Sequence, residues 1–216
     1  MSPADEGSRE RTLELDRLVN FSDAVFAIAA TVLVLSVHIP LDLGEPNLDR
    51  KIWDGFQDAL PSIFAYGLSF FIIGRTWLGH HRMFRVIRRI DGRFISLNLF
   101  LLSVIALLPF PTEVYGTYNT ARPALIVYAA SVSASGLVST WLYWYAAKDD
   151  RLIDTSVDRE WLSHSLWRGL SIPIVFLTSI PISFIAVEAA QLWWLWLIPF
   201  RTFFTRRYGK ITDIWA

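Results

Sequence analysis

Asp23 stands at the mouth of an uncharged run, Ala24–Val37, within the segment RLVNFSDAVFAIAATVLVLSVHI that covers residues 17–39. An ionised carboxylate is costly in hydrocarbon, so an aspartate at that position needs a partner or a task. Arg17 and Ser22 share the same end of the segment. On an α-helix Phe21, Ala24, Ile28, Thr31 and Leu35 fall on one stripe, while Ser22 and Asp23 turn to the opposite side. Trp77, His80 and His81 lie near the end of the next long apolar segment, and Asn98 sits near the start of the third. If consecutive segments are antiparallel, all of these polar groups meet in one layer. Such a layer can hold helices in register, relay protons or coordinate an ion. Interhelical hydrogen bonds in membranes are worth only about 0.6–2 kcal/mol each, so the cluster contributes more to geometry than to stability.

Two other chemistries fit poorly. Adjacent histidines on a helix point about 100° apart, so His80 and His81 cannot easily chelate one ion. HExxH is absent, and no metal is expected. Thr31 can return its hydroxyl proton to a backbone carbonyl one turn earlier, the ordinary habit of threonine in membrane helices. It can also contribute to a ring of oxygens if its stripe faces a symmetry axis, with Ile28 and Leu35 forming apolar rings on either side. Narrow apolar rings gate by dewetting, and oxygen rings replace part of an ion's hydration shell. His38 reads as an interfacial histidine that could titrate under mild acidity.

The elements that must position these groups are membrane helices. The 20 basic and 20 acidic residues cancel, which removes any global field for nucleic acid. The absence of cysteine excludes disulfides, thiolate metal sites and thiol catalysis. Long uncharged runs, by contrast, approach or exceed the ~20 residues needed to cross a bilayer. Six spans are predicted, at about 18–39, 58–83, 93–112, 123–147, 162–187 and 190–207. The last needs Arg201 to snorkel. The third is expected to end in the Pro-Phe-Pro stretch at 109–111, with EVYGTYNTAR as a loop, and the fifth and sixth to join in a tight turn near Glu188. The hydrophilic N-terminus and the lack of a small-residue cleavage site argue for a retained first helix.

Basic residues sort to one side. With the N-terminus inside, Arg82, Arg85, Arg88, Arg89 and Arg93, together with Lys148, Arg151, Arg159, Arg206, Arg207 and Lys210, are cytoplasmic. Only Arg50, Lys51 and Arg122 fall outside. Both termini are therefore expected in the cytoplasm. The fold expected is all-α, an integral membrane protein forming one transmembrane domain over 1–216. Nothing resembles a TVGYG filter, a voltage-sensor helix, a phosphate loop or GxSxG, and no enzymatic activity is expected. The tryptophans read mainly as interfacial belts.

RLVNFSDAVFAIAATVLVLSV resembles the RxxxFSD-containing first helix of the endosomal and lysosomal potassium channel family (transmembrane protein 175), with Arg17, Phe21, Ser22 and Asp23 filling the motif. The stretch WLGHHRMFRVIRRIDGRFISLNLFLLSVIALLPFPT is similar to that family's second block, through Trp77, His80 or His81, Asp91, Asn98 and the Leu-Pro-Phe ending. These blocks cover the first half of the chain. The resemblance implies a six-helix subunit assembling as a homotetramer with the first helix lining a central pore. It implies a constriction at Ile28, a threonine layer at Thr31 contributing to potassium preference, and continued lining by Leu35 and Ala24. The motif polar residues would form an interhelical network. The implied activity is a weakly to moderately selective potassium-permeable channel of a bacterial plasma membrane. Potassium is its permeant ion and it needs no cofactor; its partners are lipids, monovalent cations and other copies of itself. The competing reading is a proton-coupled or proton-conducting transporter using Asp23 and His80 or His81. Inverted repeats or broken helices with mid-membrane charge would favour it, and none is evident.

Overall fold

The structure is a computed structural model that describes residues 3–37, 48–153 and 159–197, with side chains from 13 onward except 48, 150 and 159–165. Its elements are α1 (Pro3–Val32), α2 (Leu48–Val86), α3 (Gly92–Leu107), α4 (Pro109–Thr117), α5 (Arg122–Ala147), α6 (Arg159–Ile182) and α7 (Val187–Trp193). Among the described residues there is no strand; an isolated antiparallel bridge joins Ile87 to Ile153. There the Arg88 and Arg89 amides donate to the Leu152 carbonyl at 2.8 and 3.2 Å, tying the basic turn after α2 to the segment after α5.

Among the described residues, four stretches are long and apolar enough to cross a membrane: Leu13–Ser36, Asp49–Val86, Gly92–Thr117 and Arg122–Ala147. Leu166–Ile182 is a shorter apolar helix. Proline placement explains where helices break. Pro109 lacks an N–H and cannot continue the α3 ladder, but its fixed φ suits the first position of a new helix. The Pro-Phe-Pro stretch therefore starts α4 rather than ending the third span, and α4 takes up most of the expected loop. Near the end of α6, Pro181 again removes a donor. The chain tightens through short-range bonds, Ser183 to Ile180, Phe184 to Pro181 and Ile185 to Ile182, at 3.1, 3.2 and 2.9 Å. The turn thus falls at Ser183–Ile185, and Glu188 lies in the first turn of α7. The first span tightens into a 3-10 turn, Leu33–Ser36. His38 and residues 198–207 of the sixth span lie outside the described residues.

The core is drawn from every helix. Phe26, Ala29 and Leu33 meet Ile72, Ile73, Leu101 and Ile105, and a second group gathers Tyr115, Tyr128, Phe176 and Trp194. Within that aromatic group Tyr115 stacks on Tyr128 with ring centres 4.9 Å apart. Helices α5 and α6 make the most extensive contact. Two glycines permit it. A Cβ on Gly136 would come within 2.7 Å of Pro173 Cδ, and one on Gly169 within 2.7 Å of Thr140 Oγ1. Small residues at helix crossings let backbones approach, the usual basis of packing in lipid.

Candidate functional site

The first span, α1 with the 3-10 turn that ends it, has two unlike faces. Its inner face carries Ser22, Phe26, Ala29 and Leu33, all buried. Its outer face carries Phe21, Ala24, Ile28, Thr31 and Leu35, all exposed, with Ile28 at 61% and Leu35 at 67%. Among the described residues, no other helix of the subunit covers that stripe.

The inner face is bonded. Ser22 Oγ donates to the Leu18 carbonyl at 2.8 Å. It therefore accepts from Asn98 Nδ2, at 2.9 Å. That fixes the amide orientation and leaves Asn98 Oδ1 to accept from His80 Nε2–H, at 2.8 Å. The chain of donors runs from α2 through α3 to α1, and its three side chains are 0–2% exposed. Beside it, the Trp77 indole donates to Asp23 Oδ1 at 2.8 Å. Asp23 is only half-buried and has its partner, which answers the cost of placing it there.

Of the two histidines, His80 joins this chain. Its ring packs between Phe26 and Phe84, with centroids 5.3 and 4.5 Å away. His81 points elsewhere and lies 5.6 Å from the Trp77 ring. Arg17 and Phe21 are exposed and stand outside the bonded cluster.

Thr31 donates to the Ala27 and Ile28 carbonyls, at 3.0 and 2.9 Å. Its single proton is thus directed back into the helix, and what the hydroxyl presents outward is lone-pair density. The bland habit of a membrane threonine and an oxygen ligand for a cation are therefore compatible.

Two clusters escaped the sequence. Ser69 Oγ lies 2.8 Å from Thr112 Oγ1 and 2.9 Å from the Tyr128 hydroxyl, a buried trio joining α2, α4 and α5. Lone hydroxyls in apolar runs were the only signal for it. At the basic end, Asp91 caps α3 by accepting from the Phe94 amide at 2.8 Å and from the Tyr145 hydroxyl at 2.7 Å. Slight burial pushes the Asp91 carboxyl up, but those two bonds and the Arg151 charge outweigh it and hold its pKa below the usual carboxylate value. Among the described residues no three His, Cys, Asp or Glu side chains gather as a metal site would require.

A family model described as the endosomal/lysosomal potassium channel TMEM175 matches residues 17–109, which hold the whole bonded cluster. A potassium channel of Streptomyces collinus is 35% identical over 149 residues, covering 67% of this chain and 70% of that protein. A potassium channel of Chamaesiphon minutus is 34% identical over 182 residues, covering 81% and 86%. The chain belongs to the TMEM175 family. A crystal structure of a lysosomal potassium-selective TMEM175 homologue from Chamaesiphon minutus superposes with a TM-score of 0.74 at 29% identity, over 90% of this chain and 97% of that one. The agreement extends beyond the matched block, so the later helices, where sequence motifs are weak, share the TMEM175 arrangement too. The protein is accordingly a multi-pass membrane protein of a channel family.

Proposed function

We propose that this chain is a potassium-permeable channel in which four copies set the α1 stripe around a common axis. One observation carries the reading: the Phe21–Ala24–Ile28–Thr31–Leu35 face is left bare by its own subunit while the face behind it is bonded to α2 and α3. A pore helix needs both. The names of the bacterial relatives supply the ion. In this assembly Ile28 and Leu35 form apolar rings that exclude water when narrow. Thr31 supplies four oxygens whose protons are already committed to backbone carbonyls, so each can act as an acceptor toward a cation. Ala24, small and toward the basic end, leaves the mouth open. Selectivity is weak to moderate, because one hydroxyl layer replaces less hydration than stacked carbonyl rings do. The site of action is a bacterial plasma membrane, with both termini cytoplasmic by the distribution of basic residues.

The test is electrical. Reconstituted protein in planar bilayers under opposed potassium and sodium gradients should give single-channel currents that reverse toward the potassium equilibrium potential. Strictly coupled flux without channel currents would overturn the proposal. A reversal potential that tracks an imposed proton gradient instead would assign the path to protons.

A further inference from the structure

A groove of about 680 Å³ lies between α1 and α2, off the α1 stripe. Small-molecule sites usually measure about 300–1,000 Å³ and combine apolar walls with a few polar groups. Small side chains leave the room: Ala27 and Ala30 from α1 and Gly74 from α2 are in the lining. A Cβ on Gly74 would meet nothing within 4 Å, so the space at that position is open. Phe26, Phe70, Phe71 and Trp77 supply four aromatic rings. The charged residues of the lining are Asp23 and Arg75. Arg75 already has a partner.

The groove has a polar end and an apolar end. Asp23 and Ala30 are seven residues apart, two helical turns or about 10 Å. On the antiparallel α2, Trp77 bonds Asp23, and Phe70 stands the same seven residues before it. Carboxylate and indole therefore mark the cytoplasmic end, and Ala30 with Phe70 the deeper one. The indole is a neutral donor. It takes one of about four acceptor positions on the carboxylate and brings no positive charge. A carboxylate at the mouth of an apolar groove asks for a cation whose remainder is apolar. An acyl chain supplies no charge, an anionic headgroup is repelled, and a hydrated metal ion leaves the aromatic walls uncovered.

We infer that this groove binds an arylalkylamine, its ammonium on Asp23 beside Trp77 and its apolar body toward Phe70 and Phe71. A primary alkylamine titrates near pH 10, as lysine does, and is cationic at neutral pH. Its N–H groups donate to the carboxylate in charge-assisted bonds, and the indole ring attracts the same charge. In a bilayer such a molecule keeps its ammonium at the interface and its body below, the order in which the groove presents its groups. None of the lining residues belongs to the α1 stripe, so the site does not depend on the proposed ion path.

The probe is 4-phenylbutylamine, whose extended length matches the two-turn span. Full-length protein in neutral detergent at pH 7 is dialysed to equilibrium against the tritiated amine, with protein-free micelles as the blank. Binding should saturate. Competition by 4-phenylbutanol, which keeps the body and loses the charge, should need on the order of tenfold more, and 4-phenylbutyrate should not compete. Asp23→Asn keeps an acceptor for Trp77 and should raise the binding midpoint about tenfold. Gly74→Leu places a side chain in the open space and should abolish saturable binding without lowering the thermal unfolding midpoint. If Asp23→Asn fails to fold, Gly74→Leu decides alone. Absence of saturable binding overturns the site, as does wild-type affinity in either folded variant. Equal potency of the alcohol and the amine would make the groove a general apolar seat and overturn the recognition by Asp23.

Discussion

The two faces of α1 differ in what they leave undone. On the inner face the Ser22–Asn98–His80 line and the Asp23–Trp77 pair are matched across helix boundaries, while His80 Nδ1 is buried without a hydrogen-bond partner among the described residues. On the outer face no described part of the subunit covers Ile28, Thr31 or Leu35. The outer faces of α2 and α3 are bare too, but there the exposed groups include Phe70, Phe71, Leu99 and Phe100, bulky side chains suited to acyl chains. Beyond Phe21, the α1 stripe instead alternates small, branched and hydroxyl residues. One face fixes where the helix stands, and the other is the face proposed above to line the ion path.

That division predicts that the two faces respond to different measurements. The largest effect belongs to Ile28→Asn. Replacing an apolar ring by an amide removes the dewetting barrier, and single-channel conductance should rise on the order of tenfold with little change in thermal stability. A stability loss without a conductance change would place Ile28 against lipid and remove the functional half of the comparison.

On the inner face, Asn98→Leu strands the His80 Nε2–H and one acceptor site of Ser22. Leaving buried polar groups unmade, offset by the modest worth of such bonds in lipid, should cost about 2 kcal/mol. Detergent-unfolding midpoints and recovery of the intact oligomer report it, and the ion preference of whatever assembles should be unchanged. Thr31→Val removes only an oxygen and should be smaller still. Its shape is kept, so folding is preserved while the potassium-over-sodium permeability ratio falls roughly two- to threefold in bi-ionic reversal measurements. An unchanged ratio would show that the threonine's lone pairs face no ion.

How far the sequence could see follows from the same contrast. The opposition of Ser22 and Asp23 to the Ile28 stripe was readable because helical period alone determines it. Which histidine joins Asn98 was not, since His80 and His81 are both within reach until the Phe26 ring and α3 choose the one that packs. The Pro-Phe-Pro stretch misled for a related reason: proline ends one helix and begins another with equal ease, and only the packing of Thr112 and Tyr115 into the core selects the second. The Ser69–Thr112–Tyr128 trio was invisible because it is assembled from three elements, none of which carries a pattern of its own. Helix count and charge sorting were legible, because lipid imposes them segment by segment.

The smallest expected effect sharpens the comparison from the start of α3, two turns before Asn98. Asp91 caps that helix, and its carboxyl titrates below the ordinary value because it accepts from Phe94 and Tyr145 beside Arg151. A group whose folded value is depressed contributes its full stabilisation above the unfolded value, near pH 4, and loses it as pH falls through the folded one. Hydrogen exchange at the Phe94 amide should therefore accelerate below about pH 4 relative to Asp91→Asn, which keeps an acceptor for that amide but has no charge to lose. If fraying of α3 reaches Asn98, the exchange of its neighbours should follow the same curve. If protection at Asn98 holds while Phe94 opens, the bonds to Ser22 and His80 anchor α1 without help from the cap, and the inner face is the more self-sufficient of the two.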